Sequence, residues 1–198
     1  MGIYRSEAEV GYYGIAVKLA NLTTFILIAI NSMAAPKFSE LYYSDKMEEL
    51  FYIAQKSAKL IFYATTPILV GLIVFGKIIL AIAFGKAFTL AYMPLLFLVV
   101  GQFFNSISGA TGYFMNMTGN EKVFKNIMFF TAIANVFLNF QLIPKFGIVG
   151  ASIAATASLV IWNSITLIFI KVKYGTTTGY FPGFVKRRHF LANNSQRM

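Results

Sequence analysis

The sequence has no cysteine, one histidine and only seven acidic residues among its 198 residues. Disulfides and thiolate metal centres are therefore excluded. No Ser-His-Asp set, cluster of metal ligands or glycine-rich phosphate loop occurs at a plausible site, so no catalytic residue, metal site or cofactor is predicted, and an enzyme is not expected. The acidic residues all fall outside the apolar runs, which leaves this chain without an intramembrane carboxylate for proton or sodium coupling.

Hydrophobic residues dominate what is present. They make up 58% of the chain and charged residues 12%, against about 25% charged residues in soluble domains. This composition predicts an all-α integral membrane protein. The net charge of +10 is typical of membrane proteins that collect lysine and arginine in their cytoplasmic loops. The basic residues are scattered between spans and no RNA- or DNA-binding motif is visible, so the predicted partner is the lipid bilayer and not nucleic acid.

About five stretches are long enough to cross the roughly 30 Å of hydrocarbon in a bilayer. The helices are predicted at 11–33, 58–76, 90–115, 123–143 and 147–170. Pro36 is expected to end the first, Pro67 to kink the second, and the Pro-Gly turn in "IPKFG" to close the fourth. The apolar piece 78–85 is too short to span and is predicted to be interfacial. The domain prediction is an extracytoplasmic segment 1–10, a transmembrane bundle 11–170 and a basic cytoplasmic tail 171–198.

The positive residues predict which way the bundle faces. Twelve lysines and arginines flank one side, formed by the loop between the first two helices, the loop between the third and fourth, and the tail, whereas four flank the other. The protein is thus expected in the cytoplasmic membrane, with the C-terminus in the cytoplasm and the N-terminus outside. An outside N-terminus with five spans predicts a fragment of a larger design; the alternative is a natural five-span protein.

Polar residues form stripes on three of the predicted helices. With an advance of about 100° per residue, one side of the first helix carries Gly14, Lys18, Asn21, Thr24, Asn31 and Ser32. The third helix carries a similar stripe with Gln102 and Asn105, and the fourth has Thr131, Asn135 and Asn139 at four-residue spacing. Asn and Gln in a membrane often only hydrogen-bond a neighbouring helix, but three stripes with a lysine favour a shared hydrated cavity.

Lys18 stands well inside an apolar span without an acidic partner in any span. An ammonium in a poorly hydrated cavity attracts an anion strongly, so an anionic ligand is its predicted counterion. The alternative is snorkelling, because a lysine about 10 Å into a helix can reach the outer headgroups. On the fifth helix, small residues at four-residue spacing predict close helix packing and no substrate role.

Several blocks resemble the second half of polysaccharide-export flippases, which belong to the MATE-like multidrug/oligosaccharidyl-lipid/polysaccharide exporter superfamily. They are "EVGYYGIAVKLANLTTFILIAI", "TTPILVGLIVFGKIILAIAFGKAF", "FNSISG" and "LIPKFGIVGAS", and the resemblance covers about residues 8–170. It implies helices eight to twelve of a transporter with two bundles around a central cavity, so that this chain would form one incomplete bundle. The first bundle and helix seven have no counterpart here.

The resemblance implies translocation of lipid-linked oligosaccharide, carried on a polyprenyl diphosphate, across the cytoplasmic membrane. The predicted substrate-binding residues are Lys18, Asn21, Gln102, Asn105, Asn135 and Asn139. Lys18 would bind the diphosphate or an acidic sugar, and the amides would bind sugar hydroxyls or line a water path. Two alternatives are a MATE-type drug or cation antiporter fragment and a truncated membrane subunit that does not transport.

Overall fold

The computed structural model describes residues 6–180, which are almost entirely helical and contain no strand. Their helices are α1 (Glu7–Ala20), α2 (Leu22–Tyr43), α3 (Met47–Phe84), a 3-10 helix (Lys86–Ala91), α4 (Tyr92–Ser108), α5 (Thr111–Met117) and α6 (Glu121–Tyr174). Residues 1–5 of the predicted extracytoplasmic segment and residues 181–198 of the predicted tail lie outside this description. The predicted fold class, an all-α integral membrane protein, is confirmed.

Four stretches of the described chain are long and apolar enough to cross a membrane, and the last of them, α6, has 54 residues. A straight helix of that length would measure about 80 Å, yet Asn135 Nδ2 lies 2.8 Å from Ser158 Oγ. The helix therefore doubles back between them, at Gly147, whose φ of 59° and ψ of −135° are not helical. The four stretches thus contain five apolar segments, and the reversal lies where the sequence predicts a Pro-Gly turn.

The first predicted helix corresponds to α1 and α2, which are separated at Asn21, and Pro36 lies inside α2 instead of ending it. Proline within a helix costs about 3 kcal/mol. The turn beyond it buries Phe38 and Leu41 almost completely, and burying each such side chain stabilises the fold by roughly 1.5–3 kcal/mol. Tertiary packing therefore carries the helix past the proline as far as Tyr43.

The second predicted helix is the middle of α3. That helix begins at Met47, with Leu50 and Phe51 already buried, and it ends only at Phe84, so residues 78–84 do not form the separate interfacial segment that was predicted. α3 packs on both α2 and α4. This packing explains why the helix extends beyond the apolar residues 58–76, from which its length was predicted. Gly85, with a φ of 100°, follows its last residue.

The third predicted helix is divided at Gly109. Residues 92–108 form α4, Gly109 adopts a φ of 70°, and α5 begins at Thr111. A Cβ added to Gly109 would overlap Ala58 of α3, so glycine is required there both by the backbone conformation and by the space available. Close approach of α3 and α4 therefore breaks a helix that periodicity alone predicts to be continuous.

Two apolar clusters lie at different heights along α3. One joins α2, α3, α5 and the end of α6, with buried Phe38, Leu41, Leu50, Phe51, Phe114 and Ile170. The other joins α1, α3 and α4, with buried Ala16, Ala20, Leu69, Leu72, Leu80 and Leu95. The protein therefore has a core at each end of the bundle, and the polar groups described below connect α1, α4 and α6.

The chain turns back after α6 and lies against α3 and α4. Gln55 Nε2 donates to the backbone oxygen of Thr177 at 2.8 Å, and the amide of Tyr180 donates to the oxygen of Ile107 at 2.9 Å. The Tyr180 hydroxyl lies 3.2 Å from that of Tyr63. Residues 175–180, the return segment, therefore cover the groove between α3 and the end of α4.

The predicted basic side corresponds to one end of the described bundle. The end of α6 meets the turn before its own start, because Lys173 Nζ donates to Asn120 Oδ1 at 2.5 Å and Asn120 Nδ2 donates to the Tyr174 hydroxyl at 2.9 Å. Tyr174 also packs on Phe51, near the start of α3, with ring centroids 5.6 Å apart. The loop before α3, the turn before α6 and the end of α6 are thus neighbours, and they bring together lysines that the sequence assigns to one side.

Candidate functional site

Four amide side chains form a continuous hydrogen-bonded chain across the bundle, which we call the amide chain. Gln102 Nε2 donates to Asn21 Oδ1 at 2.9 Å, Asn105 Nδ2 donates to Gln102 Oε1 at 3.3 Å, and Asn163 Nδ2 donates to Asn105 Oδ1 at 3.2 Å. The amide chain begins at the junction of α1 and α2, crosses α4 and ends on the second half of α6.

Local structure explains why these positions meet. Asn21 occupies the break between α1 and α2, where its side chain is not confined to either helix. Gln102 and Asn105 are three residues apart on α4, and such residues are neighbours on one helix face. Gln102 is buried, Asn105 is half-buried and Asn21 is exposed, so the amide chain runs from the interior of the bundle to its surface.

Hydroxyl groups fix the α4 side of this network. Thr65 Oγ1 on α3 donates to Ser106 Oγ at 2.9 Å, and Ser106 Oγ donates to the backbone oxygen of Gln102 at 2.8 Å. Thr156 Oγ1 on α6 donates to the oxygen of Phe97 at 2.6 Å. Because α3 and α6 both bond to α4, rotation of α4 would break several buried hydrogen bonds, and the amides on it are held in register.

Lys18 lies beside the exposed end of the amide chain. It is exposed, and within residues 6–180 its ammonium group makes no hydrogen bond or ion pair. Ala16 and Ala20, which flank it, are buried, and at about 100° per residue Lys18 points to the opposite side of α1 from both. Asn21, three residues further on, shares the Lys18 side. Lys18 and Asn21 therefore face out of the described bundle, whereas Asn31, predicted on the same stripe, is buried on α2.

Asn135 and Asn139 form a separate cluster. Asn139 Nδ2 donates to Asn135 Oδ1 at 2.9 Å, and Asn135 Nδ2 donates to Ser158 Oγ at 2.8 Å. Ser158 and Asn163 are about 140° apart around the same helix, so this cluster and the amide chain lie on different faces of α6. The three polar stripes do not meet in one space within the described bundle: two are joined by the amide chain, and the third holds the two halves of α6 together.

Asn163 was not predicted as a site residue, because the small residues of the fifth predicted helix indicate packing alone. Asn163 is 2% exposed, its Oδ1 accepts from Thr111 Oγ1 at 3.4 Å, and its Nδ2 also donates to the oxygen of Leu159 at 2.9 Å. The available signal was an amide alone in the apolar run "LVIWNSITL". An amide in such a run is costly unless it has partners, which marks it as part of a polar network.

Neither the acidic and histidine side chains nor the apolar groove of the described residues indicates a metal or catalytic site. No group of three or more His, Asp or Glu side chains between residues 6 and 180 could hold a metal ion. An apolar groove of about 480 Å³ follows α6 and is lined by Phe129, Ala132, Ile133, Val136, Phe137 and Phe140. All six belong to one helix, as expected of a surface that faces acyl chains.

The chain is similar to proteins of polysaccharide biosynthesis. Residues 1–94 match a family described as "Polysaccharide biosynthesis protein". Two relatives from Haloferax volcanii are named "Probable low-salt glycan biosynthesis flippase Agl15" and "Probable flippase AglR". The first is 25% identical over 161 residues, which are 81% of this chain and 34% of the relative. The second is 27% identical over 164 residues, which are 80% of this chain and 34% of the relative.

A third relative, "Uncharacterized membrane protein MJ1068" of Methanocaldococcus jannaschii, is 25% identical over 147 residues, 74% of this chain and 29% of its own length. The chain thus spans about a third of the length of the curated relatives it matches. No solved structure matches the chain significantly. The predicted resemblance to polysaccharide-export flippases is confirmed.

Proposed function

We propose that this membrane protein, similar to the flippases of polysaccharide biosynthesis, is part of a transporter that moves lipid-linked oligosaccharide or polysaccharide precursors across the cytoplasmic membrane. Two relatives carry the name flippase. The observation that carries the proposal is the amide chain, which ends at exposed Asn21 beside exposed Lys18. A polar, cationic face within an apolar helix is what a transporter of an anionic, hydroxyl-rich headgroup requires.

The position of Lys18 and Asn21 supports contact of the outward face of α1 with water or with further protein. Charged and amide groups directed at acyl chains cost several kcal/mol, and the outward face of α1 carries both. In this proposal further helices complete a cavity against that face, as the greater length of the relatives allows. The two bundles would then rock against each other around the bound headgroup, without breaking a bond.

Within this cavity the side chains have distinct proposed roles. Lys18 binds the diphosphate or an acidic sugar, and Asn21 donates to the same headgroup. Asn105, half-buried behind them, binds sugar hydroxyls or water, while Gln102 holds Asn21 in place. We assign Asn135 and Asn139 to the α6 hairpin, because their amides bond to each other and to Ser158.

The remaining parts of the proposal concern orientation and coupling. We propose that the basic end of the bundle faces the cytoplasm, following the excess of lysine and arginine. No span of this chain contains a carboxylate by the sequence assignment, so a carboxylate that binds a coupling ion would belong to another part of the complete transporter.

The direct test is ligand binding by the purified protein in nanodiscs of zwitterionic phospholipid. We expect saturable binding of a fluorescent polyprenyl-diphosphate oligosaccharide and none of a hydrophobic cationic dye. Dye binding without glycan binding would instead support a cation antiporter, and binding of neither would support a subunit without transport function. A flipping assay in proteoliposomes, with the protein alone and with a candidate first bundle co-reconstituted, then tests whether further helices are needed.

A further inference from the structure

The hydrogen bonds of Asn163 fix the direction of its own amide. A backbone carbonyl can only accept a hydrogen bond, and the oxygen of Leu159 lies 2.9 Å from the Asn163 amide nitrogen. On the other side, the Asn163 oxygen accepts from Thr111 Oγ1 at 3.4 Å. The side chain is buried, and an amide turned the other way would place its oxygen against the Leu159 oxygen, where two acceptors repel each other and the hydrogen bond to Leu159 is lost.

This direction is passed along the amide chain. The second hydrogen of the Asn163 nitrogen goes to Asn105 Oδ1, so the Asn105 nitrogen must turn to Gln102. The Gln102 oxygen is then occupied, and its nitrogen must turn to Asn21 Oδ1. Asn163, Asn105 and Gln102 thus each receive a hydrogen bond on the oxygen and give one from the nitrogen, and Asn21 receives one on its oxygen. At the end of the chain, the group that Asn21 presents to the surface is its NH₂ and not its oxygen.

Lys18 adds to this donor-rich surface. An ammonium has three donors and no acceptor, and the free end of the Asn21 amide likewise donates only. Residues three apart on a helix have Cβ atoms roughly 5–6 Å apart, a separation that one diphosphate can bridge. Successive hydrogen bonds also polarise one another, by about 10–30% per bond, which strengthens the last donor. Neither group offers an acceptor to a hydroxyl or a cation.

We propose that Asn163 is a positioning residue that sets the polarity of the amide chain, and that the resulting donor-only site formed by Lys18 and Asn21 selects an anionic diphosphate headgroup. The inference rests on the proposed function and names the part of the lipid-linked glycan that this face recognises. Asn163 itself does not touch the ligand. It acts through Asn105, Gln102 and Asn21, about three side chains from the surface.

The test uses Asn163→Thr, which changes the polarity without adding charge. A threonine hydroxyl has a single hydrogen and commonly gives it to the carbonyl four residues earlier, as Thr166 does to Trp162. Position 163 would then offer Asn105 only an acceptor, the amide chain would reverse, and Asn21 would present its oxygen. We expect the affinity for polyprenyl diphosphate to fall about tenfold, the effect of losing one hydrogen bond to a charged group, while the affinity for the neutral polyprenol stays unchanged.

Two further variants separate this role from a structural one. Asn135→Thr makes the same change in the other amide cluster and should leave diphosphate affinity within about twofold. Asn21→Asp keeps an acceptor for Gln102 and replaces the exposed NH₂ by a carboxylate oxygen. Because this variant alters an exposed side chain, it can test the donor site even if Asn163→Thr does not fold. We expect Asn21→Asp to lose diphosphate binding about tenfold or more.

Binding is measured in zwitterionic nanodiscs with three probes: polyprenyl diphosphate, the neutral polyprenol and inorganic diphosphate. The proposal is supported if the parent protein prefers polyprenyl diphosphate over the neutral polyprenol and if Asn163→Thr and Asn21→Asp lose this preference. Competition by inorganic diphosphate assigns the preference to the headgroup. Unchanged preference in folded Asn163→Thr, or in Asn21→Asp, overturns it. If the parent protein still binds lipid-linked glycan in that case, the proposed function stands and only the inference about polarity is lost.

Discussion

At the scale of single residues, exposure distinguishes side chains that could bind a ligand from those that support the fold. Lys18 and Asn21 are exposed on the same side of α1, whereas Gln102 and Asn163 are buried and fully engaged with neighbours. A substitution at the exposed positions should therefore change binding with little effect on stability. At the buried positions both properties depend on the same hydrogen bonds.

Lys18→Ala tests the first half of this statement. We expect diphosphate-lipid affinity to fall about tenfold, because one charge-assisted contact is lost, and the melting temperature to stay within about 2 °C, because surface substitutions rarely exceed 0.5 kcal/mol. Binding of the labelled lipid and thermal unfolding in detergent measure the two effects. Lys77→Ala, which removes an exposed lysine from α3, is the matched control. Equal affinities for Lys18→Ala and Lys77→Ala would exclude Lys18 from the headgroup site.

At the scale of helices, two glycines decide where the chain bends. Gly109 separates α4 from α5, and Gly147 reverses α6. Both have a positive φ, which costs other residues roughly 1–2 kcal/mol. The polar clusters depend on these bends, since the α6 reversal brings Asn135 to Ser158.

Gly109→Ala should destabilise the fold. The added methyl group would overlap Ala58 of α3, and overpacking of this kind costs about 1–3 kcal/mol in addition to the backbone strain. We expect a fall of several degrees in the melting temperature. Gly71→Ala is the control, because nothing lies within 4 Å of a Cβ at that helical position. Similar melting temperatures for the two variants would show that the approach of α3 to Gly109 is looser than described.

The Asn135–Ser158 contact should contribute to the α6 hairpin. A double-mutant cycle with Asn135→Ala and Ser158→Ala is expected to give a coupling free energy of about 0.6–1.7 kcal/mol, the range for polar contacts between membrane helices. Denaturant unfolding of the four proteins measures it. Additive effects of the two substitutions would mean that the pair contributes nothing to holding the halves together.

At the scale of the whole molecule, the described residues form a bundle with one basic end and an outward face that carries Lys18. The start of α3, the end of α6 and the turn before α6 meet at the basic end. The chain spans about a third of the curated relatives it matches. Further protein against the Lys18 face would cover polar groups that acyl chains would not solvate.

Orientation can be tested directly because the sequence has no cysteine. Single-cysteine variants at exposed Lys46, Lys86 and Lys122 need no background substitutions. If the basic end is cytoplasmic, an impermeant maleimide added to intact cells should label Lys86→Cys and leave Lys46→Cys and Lys122→Cys unlabelled until the cells are opened. The reverse pattern would place the basic end outside.

The sequence by itself determined that the protein lies in a bilayer, that it is helical, and approximately where its membrane spans lie. Continuous apolar runs of about 20 residues indicate a bilayer, and a run of that length spans it as a helix, in which every backbone group finds a partner within the segment. The Pro-Gly turn of α6 was also predictable from local chemistry. Helix ends were less so: Pro36 does not stop α2, and residues 78–84 continue α3, because packing against other helices outweighs local preference.

Only the tertiary structure decided how the polar residues are paired. Periodicity places an amide on a face of its helix, but the neighbouring helix decides whether that amide finds another amide, a hydroxyl or an open surface. For this reason Asn21, Gln102 and Asn105, all predicted, are joined by Asn163, which was not, while Asn135 and Asn139 turn to Ser158. The direction of each hydrogen bond depends on one backbone carbonyl of α6, a contact that helix periodicity cannot specify.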